Sequence, residues 1–378
     1  MTLTGGFKVF AYDLNTNTRL CELSDATNLQ FDSRMGDAGA ISFQLNIQAP
    51  RVAQRVAPVL MYNGEPFAVY VELNGLIVWG GLAWTGSYQK TSGALYIGGK
   101  EFLSYFDQRV IAASYTAAEY PSGIDPAALI AKSINDAQNA GAGASIGVSV
   151  IGGTSSIPAI IPGYPRTQYT TVTKLIDDML AINVPGYGGI DINQVCAYDI
   201  NGNPSTQFQV SSPRAGRAAG NTGLIFDLDS CIDYWWPTDA TAAGNTIIAT
   251  GAGTGAAMPT AIVSAPGVPV GALGQAPRLD KVISFQSAQS QQQISAAASG
   301  AANMYGRPVV TPKVRVLTGG AQPLGSWIMG DDARIYTAKD ERNPNGLDQY
   351  WRIVQHTVTV PEAGASFVDV TFNLPPVY

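Results

Sequence analysis

The sequence predicts a mainly β protein with an α+β middle, built as two small β-barrels plus a mixed helical lobe. Three observations carry that expectation. One β pattern occurs near each end of the 378-residue chain: GEPFAVYVELNGLIVWGGLAWTGSY then GALYIGG from Gly64, and GDDARIYTAKDERNPNGLDQYWRIVQHTVTV then GASFVDVTF from Gly330. Strict apolar alternation, the period of a strand with one buried face, marks ISFQLNI and FAVYVEL. The helical signals fall between the two β ends.

Each copy of the pattern opens on Gly and an acidic residue. A short strand follows (Phe67–Val71; Ala333–Thr337), then a polar turn, a Trp-bearing strand (Trp79; Trp351) and a Gly-led strand (Ala94–Ile97; Ser366–Phe372). Trp79 precedes Gly93 by 14 residues and Trp351 precedes Gly364 by 13. Two unrelated β-meanders would also fit so loose a pattern. The shared order of signals favours duplication, and self-similarity decides architecture.

In chain order, residues 1–107 read as β. Ile41, Phe43, Leu45 and Ile47 share one strand face. Asn74-Gly75 is a tight-hairpin signal, because both residues tolerate positive φ. Gly80-Gly81 after Trp79 reads as a bulge at a barrel corner. The character changes near Asp107. DPAALIAKSINDAQNAG has Asp125 as N-cap, Pro126 in the first turn, an apolar side from Ala128, Leu129, Ile130 and Ile134, and Gly141 as its stop. TTVTKLIDDMLAINVPG is capped by Thr170 or Thr171, buries Leu175, Ile176, Met179 and Leu180, and ends at Pro185-Gly186. The stretch 141–165 between these helices reads as loop with short strands.

VCAYDINGNPSTQFQVS reads as a hairpin around Asn201-Gly202-Asn203-Pro204. Residues 221–250 return to β, with the aromatic run Tyr234-Trp235-Trp236 and the strand NTIIAT. A Gly/Ala/Pro loop covers 251–278. SAQSQQQISAAASGAANMYG reads as a helix packed through Ile294, Ala297, Ala298 and Ala301, and PKVRVLT leads into the second copy of the pattern. The expected division is a first barrel over 1–107, a middle lobe from 108–206 and 237–307, and a second barrel from 207–236 and 308–378.

Hydrophobic residues make up 46% of the chain, enough for cores, but charged residues only 13%, about half the usual share of about 25%. Such a chain suits extensive burial in an assembly. The net charge is −6 without a Lys/Arg run, which argues against a nucleic-acid footprint. The opening MTLTGGFKVFAYDLN lacks a basic segment followed by an apolar one, so no secretory signal is expected. No apolar run reaches the roughly 18–20 residues of a membrane span. Cys21, Cys196 and Cys231 are distant and odd in number, so reduced thiols and synthesis in a reducing cytoplasm are expected.

Chemistry-bearing motifs are sparse. GAGTGA (Gly251–Ala256) has the spacing of a dinucleotide fingerprint, which needs a helix N-terminus directly after it to meet the pyrophosphate. Pro259, Pro266 and Pro269 follow instead, so a loop is expected. His356 is the single histidine; it lies in HTVTV and is expected on a partly exposed sheet face. Cys21 and Cys231 lack a helix N-terminal setting that would lower a thiol pKa. The carboxylate pairs are Asp177-Asp178, expected to face water, Asp227/Asp229, and Asp331-Asp332, expected in a turn. A glycosidase would need two carboxylates facing across a cleft. No catalytic, cofactor-binding or metal residue is expected. Trp79, Trp84, Tyr234, Trp235, Trp236 and Trp351 are candidate core or interface aromatics, since aromatic residues are enriched at interface cores. The run Tyr234-Trp235-Trp236 also suits stacking on a sugar or base.

FAVYVELNGLIVWGGLAWTGS resembles the first small barrel of hub-type tail proteins of long-tailed phages. GDDARIYTAKDERNPNGLDQYWRIVQHTVTV…VDVTFNLP resembles the last barrel of the same family, as in minor tail proteins of actinobacterial siphophages. The motifs are loose one by one, and their order spans nearly the whole chain. The resemblance implies two tail-tube-like barrels per chain and a homotrimeric tail-tip or baseplate hub that adapts a six-fold tube to a three-fold tip. It implies other tail proteins as partners: distal tail ring, tape measure and tip proteins. It carries no catalytic residues over and implies no cofactor. A carbohydrate- or receptor-binding tip protein is the alternative, and a cell-wall hydrolase a weaker one.

Overall fold

The structure is a computed structural model and describes residues 3, 5–23, 25–60, 65–182, 184, 187–241, 243–251, 253–265, 277–285, 291–306 and 309–373. Its first β unit contains β1 (Phe7–Tyr12), β2 (Arg19–Glu22), β3 (Thr27–Arg34), β4 (Ala40–Asn46), helix α1 (Pro50–Leu60), and the antiparallel meander β5 (Phe67–Leu73), β6 (Leu76–Gln89) and β7 (Ala94–Glu101). Asn74 and Gly75, at φ 50° and 89°, turn β5 into β6.

α1 departs from the all-β reading of this region. Val52, Val56 and Val59 recur at helical spacing and are buried. Pro58 in the last turn hides that pattern, because proline argues against a helix interior. Gly80 and Gly81 are no bulge: they pair in register with Tyr70 and Val69, and the shift falls beside Val78 and again between Ala83 and Thr85. They are glycines for lack of room. A Cβ on Gly80 would press within 2.7 Å of the Cys196 sulfur, and one on Gly81 would overlap the Lys100 carbonyl oxygen.

The middle region carries α2 (Pro126–Gln138), β8 (Val148–Gly152), α3 (Val172–Leu180), β9 (Asp191–Tyr198) and β10 (Pro204–Ser211). Asp125 caps α2 by accepting from the Ala127 N–H at 2.8 Å, and Thr171 caps α3 through the Lys174 N–H at 3.2 Å. α3 stops at Leu180; Pro185-Gly186 lies outside the described residues. β10 lies between β9, antiparallel, and β8, parallel.

The second β unit starts with β11 (Ile225–Asp227) and β12 (Asp233–Trp235). The chain then makes an excursion through β13 (Thr238–Asp239), β14 (Thr246–Thr250), β15 (Thr260–Ser264), β16 (Asp280–Ser284), α4 (Gln291–Tyr305) and β17 (Val309–Val310). It returns as β18 (Lys313–Leu317), β19 (Asp332–Thr337), β20 (Leu347–Val360) and β21 (Phe367–Asn373). GAGTGA falls between β14 and its antiparallel partner β15, with a three-residue 3-10 turn at Gly255–Ala257 and, among the described residues, no helix to meet a phosphate.

The two β ends are not two separate barrels. They join edge to edge in one 13-stranded sheet that runs β12-β18-β21-β20-β3-β4-β7-β6-β5-β1-β2, with β19 beside β20 and β11 beside β19. Neither unit closes on itself among the described residues. The reason is the length of β20: its first half pairs with β19, and its second half, Gln355–Val360, pairs with β3 of the other unit. One hydrophobic core, including Phe31, Trp79, Phe226, Trp351 and Phe372, spans both units. A second core fills the space between the outer face of the first unit and the middle region, through Tyr70, Leu82, Phe102, Leu129, Ile176 and Phe208. β5 shows why FAVYVEL is buried throughout: Phe67, Val69, Val71 and Leu73 enter the first core, and Ala68 and Tyr70 enter the second. β14–β16 pack on α4 around a small core of their own, with Ile247, Ala249, Ile294 and Ala298.

Candidate functional site

The strands of the two β units correspond. β3, β4, β5, β6 and β7 match β12, β18, β19, β20 and β21 in chain order. They match in pairing as well: β3-β4-β7-β6-β5 in one unit and β12-β18-β21-β20-β19 in the other, antiparallel at every step. The long strands β6 and β20 both have 14 residues. Phe31 of β3 packs against Trp79 at 6.5 Å, and Trp236, next to β12, packs against Trp351 at 5.8 Å. The units differ at the outer flank, where β1 runs antiparallel to β5 but β11 runs parallel to β19.

A network of ion pairs, with Asp331, Asp332 and Arg352 buried, Arg214 largely buried and Arg217 half-exposed, fastens the second unit to the middle region. Arg214 grips Asp332 with two bonds, at 2.6 and 2.8 Å, and donates to the Gly330 carbonyl. Arg217 grips Asp331, which is fully buried. Arg352 donates to Asp191 at 2.5 Å and to the Ala215 carbonyl at 2.8 Å. Asp331 and Asp332 are therefore structural anchors rather than residues of an open turn. The backbones cross so closely here that Gly216 and Gly330 both stand at positive φ, 77° and 92°, and a Cβ on Gly330 would lie 2.6 Å from the Ala215 carbonyl oxygen. The RAGR spacing of Arg214 and Arg217 carries no recognised motif, so sequence reading passes over it.

A cavity of about 250 Å³ lies where both β units meet the middle sheet, lined by Trp79, Glu101, Asn193, Cys196, Trp327 and His356. His356 is buried rather than partly exposed. It stands edge-on to Trp327 at 5.3 Å, and neither ring nitrogen has a hydrogen-bond partner among the described residues. Burial lowers its pKa from 6.5 to about 4, opposed by the charge of Asp32. Burial raises Glu101 from 4.5 to about 8, opposed by hydrogen bonds from Ser33 and the Gly39 N–H and reinforced by Asp32 and Asp37. The signs follow from linkage. The folded chain refuses the proton that unfolded His356 takes up, so stability falls as pH drops from 6.5 toward 4. It holds a proton that unfolded Glu101 has released, so stability also falls as pH rises from 4.5 toward 8. The two windows overlap between pH 4.5 and 6.5, where the opposing slopes offset each other, so urea titrations across pH are expected to show a shallow maximum there and a net loss only outside it. His356→Phe should flatten the acid limb and Glu101→Gln the alkaline one, each by about 1.4 kcal/mol per unit of pKa separation. Unchanged limbs in both variants would contradict the assignment.

The remaining candidate residues take these places. Trp79 is buried and donates to the Asp32 carbonyl at 2.9 Å. Trp84 is half-buried and bonds Ser104 at 2.8 Å. Tyr234 bonds Asp340 at 2.6 Å. Trp235 is 37% exposed beneath the Arg315 guanidinium, and Arg342 stands over Trp236. The fold thus brings Trp236 to Trp351 but keeps Trp79 and Trp84 in the other unit. Asp177 is exposed, while Asp178 accepts from Tyr164 at 2.9 Å. Asp227 bonds its own turn and Asp229 bonds Thr337 at 2.9 Å. The three thiols are unbridged. Among the described residues, no group of three or more His, Cys, Asp or Glu could hold a metal, and no helix is long and apolar enough to cross a membrane.

No protein-family model matches the sequence, and none of the curated proteins does. Solved structures match over nearly the whole chain. A tail protein from Neisseria meningitidis aligns with TM-score 0.59 at 10% identity, covering 98% of this chain and 96% of that one. The prophage tail protein gp18 from Listeria monocytogenes aligns with TM-score 0.53 at 11% identity, covering 96% and 94%. The 43 kDa tail protein of prophage MuSo2 from Shewanella oneidensis aligns with TM-score 0.52 at 14% identity, covering 98% and 97%. The chain carries the fold of these tail proteins.

Proposed function

We propose that this chain is a structural virion protein of a phage tail tip or baseplate, a homotrimeric hub that joins a six-fold tail tube to a three-fold tip. The observation that supports it best is the duplicated β unit, equal in chain order and pairing order. Three copies of a chain with two tube-like units present six such units, which a six-fold tube can meet one to one. The units are residues 1–107 and residues 207–236 with 308–378, less the end of β10 (Pro204–Ser211), which pairs with β9 and β8 and so stays with the middle region, and segments 108–206 and 237–307 pack beside them as a separate lobe. Its partners are further copies of itself and other tail proteins: the distal tail ring, the tape measure and tip proteins. The motif order that resembles actinobacterial siphophage tail proteins narrows the host group. The chain is made in the host cytoplasm, ends in the virion tail tip, and catalyses no reaction.

Light scattering on the purified chain should give three times the mass of one 39.7 kDa copy. Images of assembled tail tips should show a three-fold ring with six similar β units. A two-fold or six-fold ring of this chain would refute the reading. Peptidoglycan cleavage lost on replacing a carboxylate pair would replace it with the hydrolase reading, and saturable glycan binding by a single copy would favour the receptor-binding one.

A further inference from the structure

The seam inside the chain is a template for the seam between chains. On β20, Leu347–Arg352 pairs with β19, and Gln355–Val360 on the same edge pairs with β3 of the other unit. The opposite edge is taken by β21. On the corresponding strand β6, Leu76–Ala83 pairs with β5, and the opposite edge pairs with β7 as far as Gln89. No strand among the described residues takes the rest of the first edge. Thr85–Gln89 are exposed throughout, with Tyr88 at 51%. A groove of about 270 Å³ runs beside this edge, lined by Val59, Leu60, Phe67, Trp84, Leu95 and Ile97.

The matching vacancy is on β12, the counterpart of β3. Its one strand partner is β18, and it stands at the outer end of the sheet. It has no second strand partner among the described residues, where β3 has β20. Around it Ile232 is 53% and Trp235 37% exposed. An unprotected edge carrying large apolar side chains invites strand pairing. The chain thus ends in two half-seams, each the counterpart of one side of the β20–β3 seam that it already forms internally.

We propose that β6 (Thr85–Gln89) of one copy pairs antiparallel with β12 of the next, extending the sheet from copy to copy as β20 and β3 extend it within a copy. The occupant of the β6 edge is thus a second copy of this chain, and the groove beside that edge receives its apolar side chains. The contact is heterologous, head to tail, the kind that closes into a ring when the rotation per copy allows. This deepens the homotrimer reading and rests on it.

The test places the photo-crosslinker p-benzoylphenylalanine at Tyr88, an exposed position that tolerates any register. Irradiation should give covalent multimers, with the cross-link mapping to residues 232–239 of a second copy. Trp235→Asp should abolish that product and reduce the light-scattering mass to one copy, with the circular dichroism spectrum retained. A multimeric wild-type chain that cross-links elsewhere, and whose mass survives both Tyr88→Asp and Trp235→Asp, overturns this seam while leaving the ring intact. A wild-type chain that stays single and gives no cross-link overturns seam and ring together.

Discussion

Asp332→Ala is expected to lower folding stability by about 3–5 kcal/mol, the usual cost of removing one partner from a buried ion pair. Asp332 is 2% exposed and Arg214 12%, so the guanidinium loses its bidentate carboxylate where water cannot replace it without opening the crossing at Gly216 and Gly330. The carboxylate also accepts from the Ala219 N–H at 2.8 Å, and that donor would lose its partner too. The geometry here connects three parts of the chain. Asp191 on the middle sheet, the 214–219 linker, and the start of β19 share hydrogen bonds through Arg352, Arg214 and Asp332. Asp332→Ala should therefore loosen the second β unit from the middle region before it melts either. Urea unfolding followed by circular dichroism would give the loss, and hydrogen exchange would show early opening of β19 and the linker. A change under about 1 kcal/mol would mean the pair is solvated and the anchoring role wrong. Replacing both partners, Arg214→Met with Asp332→Leu, should recover most of the loss, because a buried guanidinium deprived of its carboxylate costs more than the bridge itself contributes.

The strands were legible where one rule sufficed. FAVYVEL, ISFQLNI and Asn74-Gly75 announce β5, β4 and their hairpin by alternation and turn chemistry. Asp125 and Thr171 announce α2 and α3 by their caps. What stayed hidden depends on pairing at long range. Nothing in HTVTV says that His356 is covered, because its burial comes from Trp327, 29 positions earlier in the chain, and from β3 at the other end. Nothing in GDD says that both aspartates meet arginines more than 100 residues away. α1 escaped because Pro58 breaks the expected pattern. The correspondence of the two units was visible as an order of signals, whereas the join between them was not. Two isolated barrels and two units sharing a sheet have the same local sequence requirements, and only the partner of Gln355–Val360 separates them. For the candidate site, Trp79 and Trp351 were identifiable as matched residues, but the free edge of β6 became visible only beside the occupied edge of β20.

Trp79→Ala and Trp351→Ala should each cost about 3–5 kcal/mol, the range for emptying a buried aromatic site. Both side chains lie within the core that the two units share, 2% and 5% exposed. Trp235→Ala, at an exposed edge, should cost folding under about 1 kcal/mol. The finer contrast lies in the phenylalanine variants. Trp79 donates its indole N–H to the Asp32 carbonyl at 2.9 Å, so Trp79→Phe removes a hydrogen bond as well as volume. The buried Trp351 N–H has no hydrogen-bond partner among the described residues, so Trp351→Phe relieves a desolvated donor while losing volume. An unsatisfied buried donor costs about 1–3 kcal/mol, enough to offset much of the lost packing. Trp79→Phe should therefore destabilise clearly more than Trp351→Phe, although the alanine variants are nearly equal. Equal losses for the two phenylalanine variants in chemical unfolding would contradict this hydrogen-bond assignment. If it holds, the matched tryptophans serve as equivalent packing centres for the two units, and only the first is also tied by its N–H to β3, the strand that carries the seam.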